Sequence, residues 1–194
     1  MINPRPRTCK MLMLVALSLG ALASSAAAQY PNGTYFTIGW GEGTVQLTCA
    51  STCSGEELSA GGAILGIGKS LGRGRVELLG HFWRNRDVSS DIGTLTAGLS
   101  VYTVRNLFIR GAVGTLRASF GDASGAYEAS GGPVWQVGVG YDLRFADNFA
   151  LTPFVTYARK SFSEVEISQP NGLGGTTSGT ASMFAFGAAF SILQ

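Results

Sequence analysis

The stretch Pro133-Val134-Trp135-Gln136-Val137-Gly138-Val139-Gly140-Tyr141-Asp142-Leu143-Arg144-Phe145 decides the fold. Its odd positions carry Pro, Trp, Val, Val, Tyr, Leu and Phe, and its even positions Val, Gln, Gly, Gly, Asp and Arg. Bulk recurs every second residue, the period of an extended strand whose side chains alternate between two faces. A helix would need apolar groups three and four residues apart, and no window from Gly33 onward sustains that spacing. The end of the chain repeats the pattern: Phe184, Phe186, Ala188, Phe190 and Ile192 alternate with Met183, Ala185, Gly187, Ala189 and Ser191.

The same reading gives strands over 34–40, 61–70, 76–83, 94–104, 107–115, 133–145, 151–162 and 183–192, an even set able to close into an antiparallel barrel. The connections alternate between long (41–60, 84–93, 116–132, 163–181) and short (71–75, 105–106, 146–148). Short turns at one end and long loops at the other are the signature of bacterial transmembrane barrels, with turns toward the periplasm and loops outward. The long connections are rich in Gly, Ser, Thr, Asp and Glu and are expected to be mobile loops.

A soluble ligand-binding barrel also alternates, but its large apolar groups point inward and its outer face is dense in charge. Here the face opposite the bulky residues is mostly Gly, Ala, Ser and Thr, which suits the narrow interior of an eight-stranded barrel filled by its own side chains. Glu77, His81, Arg110, Asp142 and Arg144 fall on that inward face. Two acids and two permanent cations are expected to neutralise one another in the lumen, Arg110 and Arg144 pairing with Glu77 and Asp142, because an unpaired charge there is costly.

The chain has 194 residues, 45% hydrophobic and 13% charged, with 28 glycines and a formal net charge of +2. Arg5, Arg7 and Lys10 precede an apolar run from Met11 to Ala23 and a small-residue stretch ending at Ala28. This is the layout of a cleavable signal peptide at 1–28, leaving a single barrel domain at 29–194. The apolar run is shorter than the roughly 20 residues of a spanning helix. The remaining domain is near neutral, which excludes the phosphate-neutralising stripe that nucleic-acid binding needs. Export leaves Cys49 and Cys53 as the thiols of the domain in an oxidising compartment, and a disulfide between them is expected. With one histidine, no zinc ligand set is available, and no cofactor motif is present.

Segments such as Leu107-Phe108-Ile109-Arg110-Gly111-Ala112-Val113-Gly114 and Asn148-Phe149-Ala150-Leu151-Thr152-Pro153-Phe154, together with the alternation and the connection lengths, give a chain that resembles the outer membrane protein beta-barrel domain family of OmpA/OmpX-like proteins. The resemblance implies an all-β, eight-stranded antiparallel up-and-down transmembrane β-barrel in the outer membrane of a diderm bacterium. It implies contact with outer-membrane lipid, insertion by the barrel assembly machinery with periplasmic chaperones, and a monomer. Such barrels commonly end on an aromatic residue, whereas this chain ends Phe190-Ser191-Ile192-Leu193-Gln194. The function expected is structural or a loop-mediated surface interaction such as adhesion, without enzyme activity. The alternatives are a narrow small-solute passage and a lipid A-modifying enzyme. An aqueous pore commonly takes sixteen or more strands, and His81 lacks a serine on its own face two positions away, so neither alternative has a motif behind it. Thiol labelling of the exported, unreduced protein should find neither Cys49 nor Cys53 reactive; two reactive thiols would remove the disulfide.

Overall fold

The computed structural model describes residues 32–49, 57–85, 89–104, 106–122, 125–129, 133–168 and 174–194. The leader at 1–28, Cys53 and the side chain of Cys49 lie outside the described residues. The strands are β1 (Gly33–Cys49), β2 (Glu57–Leu71), β3 (Gly74–Asn85), β4 (Ser89–Val104), β5 (Leu107–Asp122), β6 (Gly125–Ala129), β7 (Pro133–Tyr141), β8 (Leu143–Ala146), β9 (Phe149–Ser168) and β10 (Gly174–Leu193). Successive strands pair antiparallel, and β10 returns to β1 from Tyr35↔Leu193 to Cys49↔Gly179, closing the barrel. β6, β7 and β8 together make one stave between β5 and β9, so the barrel has eight staves.

Local chemistry explains the joints. The turn between β2 and β3 needs a left-handed residue, and Gly72 supplies it at φ 72°. β7 and β8 part at Asp142, whose N–H donates to the Asn106 carbonyl at 3.0 Å. The ladder to β9 lapses there, between Gly140↔Phe154 and Leu143↔Leu151. Pro153, which has no N–H to donate, stands on β9 opposite this gap, where a missing ladder donor costs least.

Residues 133–145 place Trp135, Val137, Val139 and Phe145 outside and Val134, Gln136 and Asp142 inside, as the alternation requires. The expected long loops, by contrast, are largely strand: β1 and β2 run through all of 41–60 except 50–56, and β9 and β10 leave only 169–173 between them. The reason is an exchange of polarity along each wall. On β1 the outward residues are Phe36, Ile38 and Trp40, then Glu42, Gln46 and Thr48. Its inward residues change the other way, from Tyr35 and Thr37 to Val45 and Leu47. The outward switch recurs at Phe82/Arg84 on β3, Leu95/Asp91 on β4, Val113/Arg117 on β5, Tyr157/Arg159 on β9 and Phe184/Ser182 on β10.

Below the switch lies an exposed apolar belt, with Ile109 57%, Val113 63% and Phe145 63% exposed. It runs from Phe184 to Ile192 on β10, about the 9 to 11 residues of a tilted membrane strand, and over shorter stretches on β1 (Phe36 to Trp40) and β3 (Val76 to Phe82). Aromatic residues mark both rims: Trp135 against Tyr157 (centroids 5.5 Å) at the upper edge, and Phe145, Phe149 and Phe190 in mutual contact at the lower. Above the switch the barrel is built like a water-soluble protein, apolar inside and polar outside. An outward arginine therefore has opposite effects in the two zones. Val139→Arg, within the belt, should cost about 2–4 kcal/mol in reversible unfolding from lipid vesicles. Ser161→Arg, outward on β9 above the belt, should stay within about 0.5 kcal/mol of the parent.

Candidate functional site

The lumen is filled in two layers, the lower one polar. In the lower layer, toward the short turns, Glu77 on β3 meets Arg110 on β5, with Nε 2.9 Å from Oε1. Glu77 also accepts from Tyr35 Oη at 2.8 Å and from Ser100 Oγ at 2.8 Å, so its carboxylate is held from three strands. Arg110 reaches on to Thr96 Oγ1 at 3.3 Å, and Thr96 Oγ1 donates at 3.4 Å to Gln136 Oε1.

Asp142 is fully buried and meets Arg75, with Nη2 3.4 Å from Oδ2. Tyr102 donates to its Oδ2 and Thr152, at 2.6 Å, to its Oδ1. The Arg75 guanidinium lies 5.0 Å from the ring centre of Tyr35, 5.2 Å from that of Tyr102 and 4.8 Å from that of Phe108. An arginine enclosed by three rings and a carboxylate keeps its charge compensated where water is scarce.

The sequence places Arg75 in a turn and expects Arg144 beside Asp142; Arg75 makes an ion pair with Asp142 that the sequence does not anticipate, and the charge of Arg144 acts on Asp142 as well. Arg144 falls on the short strand β8 and is half-buried. Arg75 stands two residues before Glu77, and that spacing puts both on one face of β3, so the alternation carried the signal and the turn assignment hid it.

His81 also faces the lumen, fully buried, 6.2 Å from the Trp83 ring. It borders a cavity of about 40 Å³ shared with Glu77, Arg110, Thr152, Thr156 and Phe154. Its ring nitrogens and Thr156 Oγ1 have no protein partner, and the volume is enough for about two or three waters. Phe154 forms the roof of the cavity, and Trp83, two residues beyond His81 on β3, stands past it. Gly41 is glycine because a Cβ there would come within 2.9 Å of Trp83 Cη2 and 3.4 Å of Phe154 Cζ.

Above this roof the second layer is apolar: Val45, Leu47, Ile92, Leu116, Val134, Phe162, Ala181 and Met183 pack around Trp83. The sequence reading left most of these in loops. One cation enters the layer, Lys160, whose Nζ donates to the Leu116 carbonyl at 2.7 Å and sits 4.6 Å from the Phe162 ring centre. Burial pushes its ammonium below the ordinary lysine range. The described residues contain no group of three His, Cys, Asp or Glu able to hold a metal.

Among solved structures the chain is similar to Neisserial surface protein A, with 9% identity and a TM-score of 0.55 over 81% of this chain and 96% of that one. It is similar to the outer membrane protein AlkL, with 16% identity and a TM-score of 0.52 over 89% and 95%. A third likeness is to Ail, the attachment invasion locus protein of Yersinia pestis solved with the heparin analogue sucrose octasulfate, with 13% identity and a TM-score of 0.50 over 83% and 99%. The fold is that of the small outer-membrane β-barrels. No protein-family model and no curated protein matches the sequence.

The lower layer makes a stability prediction. Glu77→Gln leaves Arg110 buried without a counter-charge and should cost about 3–5 kcal/mol, less if the cavity waters reach the guanidinium. A double-mutant cycle on Arg75→Met and Asp142→Asn in detergent-folded protein should give a larger coupling energy than the cycle on Arg144→Met and Asp142→Asn. Equal couplings would overturn the pairing described here.

Proposed function

We propose that the protein is an integral outer-membrane barrel, exported through its leader and inserted by the barrel assembly machinery, that works through what it presents at the cell surface. The observation that carries this reading is the doubly filled lumen. An aromatic roof and an apolar layer lie above an ionic layer, and the cavity beside His81 in the lower layer is about 40 Å³. A solute crossing the barrel would have to displace Trp83 and its neighbours from the apolar layer and then separate charge pairs that are buried together. The strands continue past the apolar belt as a rigid, polar-walled collar, and a rigid scaffold is a suitable mount for recognition loops.

The fold neighbours include an attachment protein, which is consistent with a surface-interaction role for this chain; fold alone does not assign one. The reading includes a monomeric barrel, a Cys49–Cys53 disulfide at the head of the collar and no catalytic centre. Purified protein in planar bilayers should show no discrete conductance. Cells displaying it should bind host-cell or matrix surfaces more than cells without it, and replacing residues 50–56 and 169–173 with Gly-Ser linkers should abolish that gain while heat-modifiable gel mobility persists. Steady unitary conductance from the parent protein would overturn the proposal.

A further inference from the structure

The polarity switch leaves charges at one height on the outer wall, and on one side of the barrel they surround a depression. Arg84 on β3, Asp91 and Gly93 on β4, and Arg117 and Ser119 on β5 line a surface concavity of about 540 Å³ whose lower lip is Phe82. The register makes the depression. Phe82 stands opposite Gly93 and Gly93 opposite Arg117, while Arg84 stands opposite Asp91 and Asp91 opposite Ser119. Gly93 is the floor: a Cβ built there would meet nothing within 4 Å, so the missing side chain leaves open space between two arginine-bearing strands. Directly below run the belt residues Phe82, Leu95 and Val113, each more than half exposed.

The location and the chemistry select the ligand. A lipid whose acyl chains lie along Phe82, Leu95 and Val113 has its headgroup at the height of Arg84 and Arg117. Guanidinium groups bind phosphate through paired, parallel N–H donors, and the edge of the hydrocarbon strengthens that attraction relative to open water. Arg84 is held by Asp91, Nε 3.3 Å from Oδ1, but both side chains are mostly solvent-exposed (76% and 69%), and such a pair is weak enough to open for a phosphate.

We propose that the Arg84–Gly93–Arg117 concavity is a binding site for the phosphorylated headgroup of an outer-leaflet glycolipid, its acyl chains resting on the belt beneath. The site rests on the membrane reading above and adds to it a specific lipid contact.

The test is native mass spectrometry of detergent-folded protein titrated with lipid A, with dephosphorylated lipid A and inorganic phosphate as separate arms. Heat-modifiable mobility is checked for every variant, so that loss of the barrel is told apart from loss of the site. The parent should retain one lipid A, bound about tenfold more tightly than the dephosphorylated lipid. The double variant Arg84→Gln/Arg117→Gln should lose about tenfold, and Gly93→Leu, which fills the floor, should weaken binding several-fold. Asp91→Asn removes the acidic group among the described lining residues and should bind at least as tightly as the parent. Arg159→Gln, an outward arginine on β9 at the same height, should be unchanged. Equal retention by Arg84→Gln/Arg117→Gln in a folded barrel, equal binding of the dephosphorylated lipid, or displacement of lipid A by millimolar inorganic phosphate would each overturn the assignment.

Discussion

A wall that passes from hydrocarbon into water has to exchange the polarity of its two faces at the crossing, and the rest of this structure follows from that exchange. In the belt the outer face meets acyl chains and carries Ile38, Val113, Val139 and Phe186, which leaves the inner face to hold whatever polar groups the barrel has. Above it the outer face meets water, and the inner face becomes the place where apolar bulk is removed from solvent. The two halves are stabilised differently. Burial of Leu116, Ile92, Phe162 and Trp83 stabilises the collar, whereas the belt half depends on backbone ladders closed into a ring and on charges that cancel inside it.

Glu77 meets Arg110 and Asp142 meets Arg75, and the half-buried Arg144 is a third cation whose charge also reaches Asp142. Each acid is also held by hydroxyl groups from neighbouring strands, so the pairs fix which strands lie across the lumen from one another as well as neutralising charge. The same fit fills the lower lumen: the two acids are engaged by Arg75 and Arg110, and the cavity beside His81 is water-sized.

The fold is legible from Pro133 to Phe145 and from the final segment because both run through the belt with alternation in a single phase, bulk outward. The ends of the strands were not readable for the converse reason. On β1 the apolar residues sit at even positions through Trp40 and at odd positions from Val45, and a change of phase in a period-two pattern reads as the end of a strand. Read as strand ends, such changes make the loops too long and leave Val45, Leu47, Ile92 and Leu116, which build the apolar layer, outside the strands. Glu77 and Arg110 were legible as inward charges from their phase, but their contact across β4 was a matter of barrel stagger.

The sequence by itself determined that this chain is an eight-staved barrel with an apolar exterior, because a period of two and the asymmetry of connection lengths are local properties that survive any choice of register. Tertiary structure alone decided that Asp142 meets Arg75, that Trp83 joins Leu116 and Phe162 in one apolar layer, and that Arg84 and Arg117 flank Gly93. Those juxtapositions join residues tens of positions apart, and they are set by how far each strand slides against the next when the sheet closes on itself, a quantity that no single strand encodes.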